Sequence, residues 1–151
     1  MSQQHINELA QVEQAFRDIF IIVDEGVIKL VLATVIAYRL KADPVWTFLV
    51  GGSSSGKSEF ITALNDVVGI YTISSLTSNT FLSGFKTKGN TPASLLHRIQ
   101  NGIMSFKDWT SMLSTNHEAR GEIMGQFREI YDGKIVREFG TGERKQWEGK
   151  M

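Results

Sequence analysis

Val45-Trp46-Thr47-Phe48-Leu49-Val50-Gly51-Gly52-Ser53-Ser54-Ser55-Gly56-Lys57-Ser58-Glu59-Phe60-Ile61-Thr62-Ala63-Leu64 is the stretch on which the reading of this chain turns. Residues 51–58 satisfy every fixed position of the pattern G-x-x-x-x-G-K-[ST]. Val45 to Val50 is a short β-branched and aromatic run, the composition of a buried strand. Glu59 to Leu64 carries apolar residues at helical spacing, which predicts a helix from Ser58 to about Val67 with Gly69 as its C-cap. Strand, glycine-rich loop and helix in that order is the context a phosphate-binding loop requires. A flexible Gly/Ser linker is the alternative, but linkers are not usually clamped between an apolar strand and an amphipathic helix.

The residue types state the chemistry. Gly51 and Gly56 let the backbone turn where a Cβ would clash, so that successive N–H groups can face phosphate oxygens, with Gly52 in the same turn. The following helix adds its unpaired N-terminal donors. Lys57 reaches β- and γ-phosphates as a mobile point charge, and the Ser58 hydroxyl can ligate Mg²⁺. Ser53, Ser54 and Ser55 are read as present for their small size. Glu59 is a candidate for supporting the metal's water shell, although an acid in a first helical turn is also ordinary dipole chemistry.

Composition sets the outer bounds. With 151 residues, 42% apolar and 21% charged, the chain is long enough for one domain with a core. Lys+Arg and Asp+Glu are both 16, so net charge makes no case for nucleic acid or membrane. The absence of cysteine excludes thiolate metal sites and thiol catalysis, and fits a reducing cytoplasm. His5, His97 and His117 are scattered without a ligand pattern and read as surface residues. The most apolar stretch, Val27 to Ala37, contains Lys29 and is too short to span a bilayer. Met1 to His5 lacks the basic start of a signal peptide.

Along the chain, helical spacing predicts an amphipathic helix over Asn7–Ile22, a break at Asp24-Glu25-Gly26 and a second helix over Val27–Leu40. Asp43-Pro44 stops it and launches the loop's strand. Ile70–Ser74 and Ile103–Phe106 read as two further strands. A helix between them is expected to start at Thr91-Pro92 and end near Gln100. Glu118–Tyr131 reads as a helix stopped by Asp132-Gly133, and Lys134–Phe139 with Arg144–Trp147 as a hairpin around Gly140-Thr141-Gly142. The expected class is α/β: a three-layer P-loop NTPase with a mostly parallel sheet, a helical segment over 1–42 and a core over 43–151 ending in the hairpin. Three parallel strands are legible where such sheets have about five, which leads to the expectation that the core is truncated at its C-terminal end.

Hydrolysis needs an acid on a neighbouring strand. Asp108, just past Ile103–Phe106, is the Walker B candidate for Mg²⁺ binding or water activation; the alternative is a turn acid capping Thr110 and Ser111. Arg120 and Arg128 are candidates for an arginine finger, or simply cations on a solvated helix face. Lys86, Lys88, Lys107, Lys134, Arg137, Arg144 and Lys145 could line a polynucleotide path with Trp147 stacking on a base. Glu138, Glu143 and Glu148 are interleaved, which favours an ordinary charged surface.

Several blocks also carry a resemblance: Asp43–Trp46 through Gly56–Glu59, Thr77–Phe85, Phe106–Thr110 and Phe127–Gly133. Together they resemble a group of phage- and mobile-element-encoded P-loop ATPases, similar to the AAA+/RecA-like motors of DNA replication and packaging. The likeness runs from about residue 24 onward, and only the phosphate loop within it is a specific motif. It implies Lys57 and Ser58 on the triphosphate, Asp108 as the Walker B acid, a further apolar strand after Trp147–Lys150, and a sensor residue on a later strand.

Three function classes remain open. The first is a Mg-ATP-dependent motor or switch acting on DNA, homo-oligomeric and cytoplasmic, in a bacterial host if phage-encoded. The second is a non-hydrolysing nucleotide-binding interaction module. The third is a small-molecule kinase, disfavoured because the lid candidate over residues 75–90 contains no arginine.

Overall fold

The computed structural model describes residues 3–22, 24, 26–85 and 91–151. The readings placed on Glu25, Lys86 and Lys88, and on the His5 side chain, lie outside the described residues. The architecture is mixed α/β, with a two-stranded parallel sheet and a separate antiparallel hairpin.

Two helices open the chain: α1 (Gln3–Ile19) and α2 (Gly26–Ala37). The break between them is an Asp24 turn, in which its carboxylate accepts from the Gly26 N–H at 2.8 Å. α2 stops at Ala37 rather than Leu40, because Arg39 and Leu40 bond back to Ile36 and Ala37 in tight turns. The pair is tied to the rest of the chain by the stack of Phe16 on Phe60, with centroids 5.4 Å apart.

The helix after the glycine-rich loop, α3 (Lys57–Thr62), is shorter than the apolar spacing to Val67 predicts. From Leu64 to Val67 the backbone instead makes three-residue turn bonds, at 3.0 to 3.1 Å. Asn65 and Asp66 are weak helix formers, and the Asn65 carboxamide accepts from the Thr72 hydroxyl at 2.5 Å.

β1 (Ile70–Ile73) and β2 (Ile103–Phe106) pair in parallel, with Ile70 opposite Ile103 and Ile73 opposite Phe106. Between them runs α4 (Leu95–Ile99), which begins later than Thr91-Pro92. Its start is fixed by tertiary contact. The Leu95 and Leu96 N–H groups donate to the carbonyls of Thr80 and Phe81, and the Ser94 hydroxyl accepts from the Ser83 N–H at 3.0 Å instead of capping the helix.

α5 (Thr110–Leu113) and α6 (His117–Tyr131) follow, the latter capped by Asn116, whose side chain accepts from the Ala119 N–H at 2.8 Å. Gly133 ends α6 at φ 83°, with its N–H on the Ile130 carbonyl, as the Asp-Gly pair predicts. β3 (Lys134–Glu138) and β4 (Arg144–Glu148) form the expected hairpin, whose turn uses Gly142 at φ 78°.

The core joins Phe81 and Leu82 to Leu96, Ile123, Ile130 and Ile135, all fully buried. Phe127 is its aromatic hub, with ring centroids 4.9 Å from Phe81, 5.7 Å from Phe106 and 5.3 Å from Trp109.

One expected element is absent from the sheet. Val45–Val50 joins no strand, and its backbone makes no backbone hydrogen bond among the described residues. Side chains hold it in place. Trp46 meets Phe127 and Tyr131 edge-on at 5.6 and 5.3 Å, and its indole N–H donates to the Met151 carbonyl at 3.3 Å. Phe48 packs on Trp109 at 5.5 Å, and the Thr47 and Thr34 hydroxyls share a hydrogen bond. Strand propensity reports a fit to a half-buried pleated surface; pairing also needs a backbone edge at ladder distance, which composition does not encode. The described parallel sheet therefore has two strands rather than three.

Candidate functional site

The glycine-rich loop leads from Val50 into α3 and is largely exposed. Two residues two positions apart, Ser54 at φ 59° and Gly56 at φ 77°, take the left-handed conformation. Left-handed residues interrupting ordinary ones curl a backbone so that neighbouring N–H groups converge on one concave face. Gly56 carries its positive φ without the Cβ penalty. Gly51 has a different reason to be glycine, since a Cβ there would lie 3.0 Å from the Ser55 hydroxyl. Gly52 has open space around it, so nothing in the free loop demands its lack of a side chain.

Lys57 folds back across this turn. Its ammonium donates to the Gly51 carbonyl at 2.9 Å, to the Gly52 carbonyl at 2.5 Å and to the Ser55 hydroxyl at 3.1 Å. All three donor positions are directed at the loop itself, which places a positive charge over its two leading glycines. Ser55 is more than a small residue. Its hydroxyl orients the lysine, a role that the two-residue spacing from Lys57 could have signalled. Ser53 and Ser58 are exposed, and the Ser58 hydroxyl has no hydrogen-bond partner among the described residues. Glu59 is exposed in the first turn of α3.

Asp108 lies two residues past the carboxyl end of β2 and is exposed. Its carboxylate accepts from the Thr110 N–H at 2.7 Å. The Thr110 hydroxyl and then this N–H hold its carboxyl below the ordinary value of 3.8, so it is anionic at neutral pH. That is the geometry of the turn-acid alternative, and no hydrogen bond or ion pair joins Asp108 to the loop among the described residues. The two segments meet through their neighbours: Phe48, three residues before Gly51, packs on Trp109, the residue after Asp108.

The remaining candidates are mostly committed elsewhere. Arg120 donates to the Leu113 carbonyl at 2.8 Å, while Arg128 stays exposed on α6. Arg137 donates to the Ser78 carbonyl and to Glu122 and lies over the Phe139 ring, so it braces the 77–85 segment. Lys134 pairs with Glu148 at 2.7 Å, Arg144 with Glu138 at 3.4 Å and Lys145 with Glu143 at 3.6 Å. Lys107 is exposed. Trp147 is no stacking platform: it is 5% exposed and its indole N–H donates to the Gln100 carbonyl at 2.9 Å. Lys134–Glu148 and Glu138–Arg144 are opposite each other on the two-stranded ladder and Glu143 reaches Lys145 from the turn, which is how an ordinary charged surface is built.

His97 binds the Gln146 carbonyl at 2.8 Å and so ties α4 to β4. Among the described residues no group of three or more His, Asp or Glu side chains could by itself hold a metal ion. No helix among them is long and apolar enough to cross a membrane. In comparisons with known proteins the chain matches no family model, no curated protein and no solved structure.

Proposed function

We propose that residues 51–58 bind the phosphates of a nucleoside triphosphate, taken to be ATP, and that the chain is a P-loop ATPase of three-layer α/β type. The observation that carries this reading is the Lys57 ammonium held over the curled loop by the Gly51 and Gly52 carbonyls and the Ser55 hydroxyl. A cation at the mouth of a backbone turn with two left-handed residues is a receptor for a polyanion. The loop is open to solvent, so a ligand reaches it without rearranging the core.

The donor set at the loop also suits Mg²⁺. This ion keeps several waters and takes few protein ligands besides phosphate oxygens, and the free, exposed Ser58 hydroxyl is one such ligand. When bound, Mg²⁺ would supply neutralisation of phosphate charge. Lys57 and the loop N–H groups stabilise the charge that spreads over the γ-phosphate as water attacks it in line. In this reading Asp108, anionic and beyond the carboxyl end of β2, would act as the Walker B acid after releasing Thr110.

Action on DNA, as a homo-oligomeric motor or switch of phage or mobile-element type, extends this reading and rests on the resemblance of the quoted blocks. Equilibrium binding of a fluorescent ATP analogue with Mg²⁺, followed by phosphate release with and without DNA, tests it in two stages. Lys57→Ala should weaken the binding and abolish the phosphate release. Wild-type-like turnover in that variant would end the reading.

A second reading, nucleotide binding without hydrolysis, is favoured by one observation: Asp108 spends its carboxylate on the Thr110 N–H. Tight binding with no phosphate release, coupled to a change in oligomeric mass, would select it.

A further inference from the structure

Between Val45–Val50 and β2 lies an apolar cavity of about 160 Å³. Its walls include Val35 of α2, Leu49, Ile61 and Leu64 on either side of the loop, and Met104 and Phe106 of β2. On one side of it is β2, whose residues Ile103 to Phe106 all line the gap, and the sheet order β1-β2 leaves β2 one unpaired edge. On the other side is a β-branched, aromatic run whose backbone groups make no backbone hydrogen bond among the described residues. Two stretches of backbone, a strand with one unpaired edge and a run without backbone hydrogen bonds among the described residues, thus flank one apolar gap. Backbone groups at an apolar wall are stable only when paired or wetted.

The side chains already set the approach. Phe48 touches Trp109 just past the carboxyl end of β2, so the end of the run nearest the loop lies at the strand end where Asp108 emerges. Trp46 is held against Phe127 and Tyr131 of α6. Val50, 90% exposed, and Phe48, 58% exposed although it touches Trp109, leave part of the run's apolar surface open to solvent.

Val50 is joined directly to Gly51, whose carbonyl is one of the three acceptors of the Lys57 ammonium. A polyphosphate competes with those acceptors for Lys57. Its arrival frees the Gly51 and Gly52 carbonyls and sets the loop N–H groups on a fixed anion. The start of the loop is then positioned by the ligand and no longer by its own lysine.

We propose that Val45–Val50 is a strap that closes on β2 as a third strand when the loop is filled, so that phosphate binding is converted into completion of the sheet. The proposal rests on the phosphate-binding reading above. The strap eliminates the gap, pairs its own backbone, and carries Gly51 toward the carboxyl end of β2 and Asp108.

Hydrogen–deuterium exchange on the full chain, read by mass spectrometry over residues 44–52 and 102–108, tests it with Mg²⁺ and a nonhydrolysable ATP analogue. The expected result is that exchange in both peptides slows by about tenfold or more on binding. Calorimetry on the same sample reports binding separately. Binding without slowed exchange overturns the strap and leaves the phosphate site standing; no binding removes the trigger and overturns both. Phe48→Pro and Leu49→Pro sharpen the test, because only alternate N–H groups of a strand face one neighbour. One of the two variants should lose the slowing and the other keep it. Loss in neither overturns the ladder. If either variant fails to fold by circular dichroism, the wild-type exchange result decides alone.

Discussion

The ammonium of Lys57 donates to the carbonyl oxygen of Gly51 at 2.9 Å, across the turn that separates them in the sequence. The residue that would meet a phosphate is therefore held by the backbone that precedes the turn. Hydrogen bonds from a charged donor are worth about 1.5–3 kcal/mol each, so ligand binding must replace them with something stronger. Lys57→Ala should weaken Mg-ATP binding by roughly tenfold to a hundredfold, measured by calorimetry, with little change in the denaturation midpoint because the side chain lies at an exposed loop.

The loop's glycines should not respond alike. Gly56 sits at φ 77°, where an L-residue costs about 1–2 kcal/mol. At Gly52 an added Cβ would meet nothing within 4 Å, and its φ lies outside the left-handed region. Gly56→Ala should therefore lower stability by about that amount, and Gly52→Ala should stay within about 0.5 kcal/mol of wild type. Urea titrations of the two variants check the contrast.

Phe127 joins Trp46, Phe81, Phe106 and Trp109 in one aromatic cluster. It is 4% exposed. Phe127→Ala should cost about 3–5 kcal/mol. It should also release Trp46, seen as a red shift of tryptophan emission before the global transition.

Trp147 supports the hairpin rather than a nucleic acid. Trp147→Phe leaves the Gln100 carbonyl without its indole donor, at a cost of about 1–3 kcal/mol. For a chain of this length that lowers the melting temperature by about 2–4 °C per kcal/mol. Affinity for single-stranded DNA, measured by anisotropy, should match that of wild type.

Asp108 should titrate below 3.8, because the Thr110 hydroxyl and N–H favour its anion. A carboxyl depressed in the folded state adds stability above its unfolded value, and that contribution is lost as pH falls through the folded value. Thr110→Ala removes the hydroxyl and keeps the N–H, so the carboxyl should move partway back toward 3.8. NMR titration of the Asp108 carboxyl carbon checks the direction.

The chain's local signals are strong where one short segment carries its own answer. Asn116 or Gly133 at a helix end, Gly142 in a hairpin turn and Gly56 at the loop are set by backbone sterics and nearby hydrogen bonds, so β2, β3, β4 and α6 are legible to within a residue or two. The tight turn over Gly51 to Ser58 is legible for the same reason, since Lys57 meets Gly51, Gly52 and Ser55 only a few residues away. Distant partners decide the rest. α4 begins at Leu95 because Thr80 and Phe81 supply acceptors, and Trp147 is buried because Gln100 takes its N–H. Asp108 turns onto Thr110, while Val45–Val50 lies beside β2 without pairing. Sequence alone determined which segments could form helix, strand and glycine-rich turn, because those depend on residues a few positions apart. Only the tertiary structure decided which backbone edges meet and which polar groups are consumed, because each of those depends on a second segment brought close by the packing of the core.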